Sequence, residues 1–289
     1  MTVAIITDTV CCLEQELIDE LDINLIPVYM TINGKEYKDR VTLSPEDFWK
    51  LFPDIKEYST SAPPVAEYLQ LYERLSKNTK EIACIFVSQS LSATTEAALL
   101  ARQIFQKDNP DVKIEIIDSR IAAGSQGFMV LEMAQAAKAG KSLAEIVKIA
   151  NDMIPQSRLL VALEGLKRLI KIGRAPKTAY LGELFQVKPL IGLVNNTGLV
   201  ENLGKSRGTE KAMLKMADMI ETYISREQPV RIAIHYTDSI EEGRRLENII
   251  LPRFNVTEYH FTPFSSVICL AIGPSTCVAF YPESEEKNR

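Results

Sequence analysis

The first half of the chain alternates short apolar runs with amphipathic stretches of helical period. Val3-Ala4-Ile5-Ile6 reads as a buried strand, and Leu13, Leu17, Ile18 and Leu21 put one apolar face on a helix over 12–21. Residues 25–32 alternate, Asn33-Gly34 supplies a tight turn, and Glu36-Tyr37 lie on the return strand. Ser44-Pro45-Glu46-Asp47 joins a capping hydroxyl, a first-turn proline and two acids on the helix dipole. Ser61-Ala62-Pro63-Pro64 opens the next helix, which runs through Leu75. Apolar runs at 82–87 and 114–117 each lead through a polar turn into a helix, near 93–106 and 125–139. Gly140 closes the second of these helices and Ser142 opens another. Such alternation predicts a parallel sheet with helices on both faces.

The second half has a different texture. Helical patterns at 142–153 and 163–171 lead into a stretch dotted with glycine and proline, 173–198. A long helix is predicted over 208–225, then a strand at 230–235 and a helix at 239–250. Strands are predicted near 255–261, 266–272 and 276–281, with a polar tail after Tyr281. The expected fold class is α/β in two domains. An N-terminal domain with a parallel sheet covers 1–158, and a C-terminal α/β domain with a mixed sheet covers 159–289.

Composition narrows the function classes. Apolar residues make up 46% and charged residues 25%, an ordinary globular balance. The net charge is −5 and the basic residues are scattered, so neither nucleic acid nor an anionic membrane surface is an expected partner. An acid at Asp8 interrupts any secretory signal, and no window approaches the ~20 apolar residues that span a bilayer, so a cytoplasmic location is expected. Cys11, Cys12, Cys84, Cys269 and Cys277 form no CxxC pair and read as buried thiols. With only His235 and His260, a histidine-rich metal site and a thiol–histidine pair are both unexpected, and His235 reads as structural.

In an open parallel sheet, ligands bind where the strands end. Three strands of the first half end in hydroxyl-rich turns: Thr7-Asp8-Thr9, the run from Ser88 to Thr94, and Asp118-Ser119. Ser59-Thr60-Ser61 is a fourth polar turn. Any one of them is explained by helix capping; together they suggest a carboxylate or phosphate site built from hydroxyls and free N–H groups. Lys171 to Arg174, and Lys205 with Arg207, could close over that anion or simply sit near helix ends and turns. Gly198 to Gly204-Lys205-Ser206 has the wrong spacing for a phosphate loop, and no dinucleotide or hydrolase motif occurs, so no cofactor is expected.

These pieces, in order, resemble the DegV family. They are I-I-T-D-T (5–9), Tyr37-Lys38-Asp39, T-S-A-P (60–63), S-Q-S-L-S-A-T (88–94), I-I-D-S (116–119), and the segment from Arg168 to Arg174. V-K-P-L-I (187–191), G-K-S-R (204–207) and I-G-P-S-T (272–276) complete the set. The resemblance implies one long-chain fatty acid bound between two α/β domains, its tail in an apolar tunnel of the first domain. Its carboxylate would meet Thr60, Ser61, Ser92 and Arg174, with Ser90, Lys205, Arg207 and Ala271 as accessory positions. Some members of the family carry acyl groups for a bacterial fatty acid kinase. The histidine of those members falls here on Ala271, the last glycine of their T-G-P-G on Ser275, and L-S-G-T reads Leu91-Ser92-Ala93-Thr94. Lipid binding is therefore better supported than a kinase partner, and binding better than catalysis. The alternative is an enzyme acting on a phosphorylated small molecule at the same anion site, with Asp8 or Asp118 as metal ligand or general base. A third is a fold that serves only protein–protein contact.

Overall fold

The computed structural model describes residues 2–174 and 187–283. Four short apolar strands, β1 (Ala4–Asp8), β2 (Asn24–Ile26), β6 (Glu81–Phe86) and β7 (Lys113–Asp118), form an all-parallel sheet in the order β2-β1-β6-β7. The hairpin predicted at Asn33-Gly34 joins β3 (Tyr29–Ile32) to β4 (Lys35–Lys38). Residues read as a turn before Pro63 instead form β5 (Tyr58–Ser61), which pairs antiparallel with β3 and puts Thr60 opposite Met30.

A six-stranded mixed sheet occupies the second half, in the order β10-β9-β8-β13-β11-β12. Its strands are β8 (Arg158–Leu163), β9 (Val187–Leu193), β10 (Glu201–Arg207), β11 (Pro229–Tyr236), β12 (Asn255–Pro263) and β13 (Ser275–Pro282). Only β11 and β12 run parallel within it. The fold is two-domain α/β, with a parallel sheet first and a mixed sheet second.

Three of these strands escape the sequence pattern. β8 lies in the predicted gap between two helices. β9 lies in the glycine- and proline-dotted stretch 173–198, and β10 covers Lys205 and Arg207, read as a turn before a helix. Pro189 is tolerated because its residue pairs only toward β10, beyond the register of β8, so its missing N–H breaks no central ladder. Gly204, at φ +110°, sits where the β10 register shifts, as a bulge requires. Residues 266–272 are a further correction: they form helix α10 (Ser266–Ile272), not a strand. Val-Ile-Cys-Leu-Ala-Ile is apolar on every side, so its sequence has no period to reveal.

Helices α3 (Val65–Leu75) and α4 (Thr94–Asp108) cover one face of the parallel sheet, with Tyr68, Tyr72 and Phe105 buried beneath them. α8 (Thr209–Ile220) and α9 (Ile240–Ile250) cover the outer face of the mixed sheet. Between the two sheets lies α5 (Ala123–Lys138), buried almost all round, with α6 (Leu143–Met153) beside it. The largest core cluster therefore spans the seam, from Val10 and Phe128 to Leu163, Phe264 and Ala279.

Candidate ligand site

A cavity of about 370 Å³ opens along this seam, within the range of small-molecule sites. Its walls come from both domains: Val10, Val28 and Val87 on one side, Leu159, Val161 and Ile191 on the other, with Val267, Ile268 and Ala271 of α10 along it. A tunnel was expected inside the first domain; the cavity is instead lined from both domains. Almost all of the lining is aliphatic. The polar exceptions are Thr60 and Ser61 at the end of β5, Ser92, and Arg174 just after α7 (Lys167–Lys171).

Each polar group is positioned by its element. Thr60 and Ser61 are fixed by the β3–β5 ladder, and their hydroxyls make no hydrogen bond among the described residues. Ser92 lies in the turn before α4, 2.8 Å from the Thr94 hydroxyl, and its Oγ accepts from the Thr94 N–H at 3.4 Å. Among the described residues the Arg174 guanidinium meets no carboxylate or carbonyl, while its N–H donates to Leu169 O at 2.9 Å and holds the chain after the helix. Arg168 is packed over the Phe52 and Tyr58 rings and donates to Leu270 O, which pins α7, α10 and the start of β5 together.

Four of the residues named from sequence, Thr60, Ser61, Ser92 and Arg174, line one cavity, and Ala271 joins them. Ser90, Lys205 and Arg207 are exposed and outside that lining. The apolar walls on β8, β9 and α10 were not legible as walls, because two of these elements carry no strand signal and the third imitates a strand.

Asp8 lies behind the site. It is fully buried, and its carboxylate accepts from the Val10 N–H (3.0 Å), the Val87 N–H (2.8 Å) and Gln126 Nε2 (3.1 Å). Burial pushes its pKa up to about 6, against the pull of those three donors. Asp118 is a turn clasp, accepting from the Gln89 and Arg120 N–H groups. His235 is also buried; burial lowers its pKa to about 3, so it is neutral while its Nε2 accepts from the Gly124 N–H at 2.9 Å. The five cysteines are free and buried. Among the described residues no group of three or more His, Cys, Asp or Glu could hold a metal, and no helix is long and apolar enough to cross a membrane.

A family model described as "Uncharacterised protein, DegV family" matches residues 2–283. The chain belongs to the DegV family. A DegV domain-containing protein of Streptococcus pyogenes serotype M1 is 30% identical over 286 residues, 97% of this chain and 98% of the relative. One from Caldanaerobacter subterraneus is 28% identical over 286 residues, 97% of this chain and 99% of the relative.

Solved DegV structures share the fold. A fatty-acid-binding DegV family protein of Thermus thermophilus superposes with a TM-score of 0.88 at 22% identity, covering 98% of this chain and 100% of that one. A stearic-acid-binding protein of Eubacterium ventriosum gives 0.87 at 19% identity, covering 97% and 98%. Set in this DegV fold, the seam cavity lies between the parallel sheet and the mixed sheet, with the carboxyl ends of β1 and β6 leading into the residues of its wall.

Proposed function

We propose that this DegV protein binds one long-chain fatty acid in the seam cavity and acts as a cytoplasmic lipid carrier without catalysing a reaction. The observation that carries the reading is an aliphatic cavity with a single polar set, where two strand hydroxyls, Ser92 and an arginine without an anionic partner among the described residues come together. An enclosed tail contributes ~0.8 kcal/mol per buried methylene, which supplies most of the affinity. The carboxylate needs donors, because an unpaired buried charge is very costly. Thr60, Ser61, Ser92 and Arg174 meet that need and leave the ligand chemically untouched. Fatty acids in the Thermus thermophilus and Eubacterium ventriosum relatives support the same ligand class.

In this reading residues 1–158 supply the hydroxyls, and residues 159–289 close over the carboxylate through Arg174. Ser90, Lys205 and Arg207, exposed on the surface, are not assigned to the carboxylate. Asp8, buried and saturated with donors, is a structural clasp rather than a general base.

Partnership with a fatty acid kinase is a separate matter, and Ala271 bears on it. This residue lines the cavity with a methyl group, where kinase-linked relatives would present an imidazole. The protein is expected to be a poor acyl presenter. Efficient acyl-phosphate formation with a reconstituted kinase would overturn that expectation.

The first test is mass spectrometry of the organic extract from protein purified without added lipid. A stoichiometric long-chain fatty acid is expected. A phosphorylated metabolite in its place would move the reading to an enzyme.

A further inference from the structure

A second cavity of about 300 Å³ lies on the same seam, bounded by Thr9, Cys12, Leu13, Arg40 and Phe261 among others. Phe264 borders both cavities and is 1% exposed. The residue is held firmly. Its ring stacks on His235 with centroids 5.5 Å apart and planes 11° apart, and its N–H donates to Tyr236 O at 2.8 Å.

Along α10, Phe264 lies at the end opposite Arg168. The C-terminal end of α10 abuts Arg168, which donates to Leu270 O and covers Tyr58 at the start of the strand bearing Thr60 and Ser61. Gly273, just past that end, also neighbours Arg168 and Phe52. Phe264 precedes the other end of α10, and a helix of that length spans about 10 Å. Val267, Ile268 and Ala271 line the cavity in between.

We infer that Phe264 is the chain-length stop of this site: its ring separates the acyl cavity from the second seam cavity, which is a latent extension of it. The inference rests on the fatty acid reading. A shorter side chain at 264 joins the two spaces and lets the methyl end of a longer acyl chain pass. Each further buried methylene adds to affinity, so two of them favour the longer homologue by about tenfold relative to wild type.

The experiment compares lipid extracts and titrations with saturated fatty acids of increasing length for wild type, Phe264→Ala, Phe264→Leu, Phe264→Trp and Phe261→Ala. Phe261 borders only the second of the two cavities, so its truncation enlarges that space without opening the partition. Phe264→Ala is expected to move the preferred chain to a longer homologue, Phe264→Leu to do so less, and Phe264→Trp to shorten it, with Phe261→Ala unchanged. If Phe264→Ala does not fold, the Leu and Trp variants still decide the matter. Wild-type preference in the variants at 264 overturns the inference while leaving the fatty acid reading intact. So does an equal lengthening in Phe261→Ala, which would mean general loosening. A wild-type protein that binds no fatty acid overturns the fatty acid reading itself, and this inference with it.

Discussion

Ser92 shows how little chemistry the proposed site needs at the scale of a residue. Its hydroxyl already shares a hydrogen bond with Thr94 and accepts from the Thr94 N–H, so its orientation is set before any ligand arrives. Ser92→Ala is expected to weaken fatty acid binding by about 1–3 kcal/mol, the cost of leaving a charged acceptor short of a donor. A calorimetric titration showing unchanged affinity would remove Ser92 from the site. Thr60, Ser61 and Ser92 drew attention in the sequence because hydroxyls cluster in polar turns, and Arg174 because a cation closes a helix. Turn composition alone does not separate Ser92 from Ser90; only the resemblance set Ser92 on the carboxylate and Ser90 as accessory. Two positions apart in one turn, Ser92 borders the cavity and Ser90 faces solvent. That choice is made by the turn geometry at the end of β6, where Ser88 Oγ accepts from the Ser90 N–H and donates to Gly198 O.

Among the elements, α5 and α10 decide how closely the domains approach. α5 is a helix without a polar face, which suits a helix covered by a sheet on either side. Gly124 is required at its first turn: a methyl there would meet Ala233 Cβ at 2.4 Å and His235 Nε2 at 2.7 Å. Neither neighbour can yield, because Ala233 belongs to a central strand and His235 is fixed by Thr262 and the Phe264 ring. Gly124→Ala is expected to lower stability by about 1–3 kcal/mol through overpacking, read as a reduced midpoint in thermal or denaturant unfolding. Wild-type stability would show that the seam can widen at no cost. The element order of the first half was legible because its amphipathic helices carry a period. α10 was read as a strand because its run of six apolar residues, Val267 to Ile272, has none.

At the scale of the whole molecule, ion pairs across the seam complement its apolar packing. His260 on β12 lies 3.0 Å from Glu14 of the first domain and 2.8 Å from Glu258. Arg231 binds Glu258 and Glu283 within its own domain and Glu132 of α5 across the seam. Burial alone would lower the His260 pKa, but hydrogen bonds to Glu14 and Glu258 outweigh it and raise the pKa to about 9. Burial pushes the Glu14 carboxyl up, and the His260 hydrogen bond and charge, with smaller contributions from its own backbone N–H and His235, together outweigh it and leave Glu14 below its usual range. A histidine with a raised folded pKa stabilises fully below its unfolded pKa, ~6.5, and loses that contribution as pH rises through its folded value. Stability is therefore expected to fall by roughly 2 kcal/mol between pH 6.5 and pH 9, and His260→Gln to flatten that slope. Parallel profiles for the two proteins in urea unfolding would exclude a stabilising role for the His260 ion pairs.

The sequence by itself determined the α/β class, the parallel sheet of the first half and most helix starts. These follow from local period, capping chemistry and turn residues, all of which act over a few neighbours. It also carried the hydroxyls and the arginine that the resemblance joins into one site. Only the tertiary structure decided that the cavity is shared between domains, that β8, β9 and α10 form its walls, and that Phe264 borders both seam cavities. The physical reason is that a cavity is the space left by packing. Residues distant in the chain bound it together, and the same aliphatic side chains would fill a core if the two sheets stood closer.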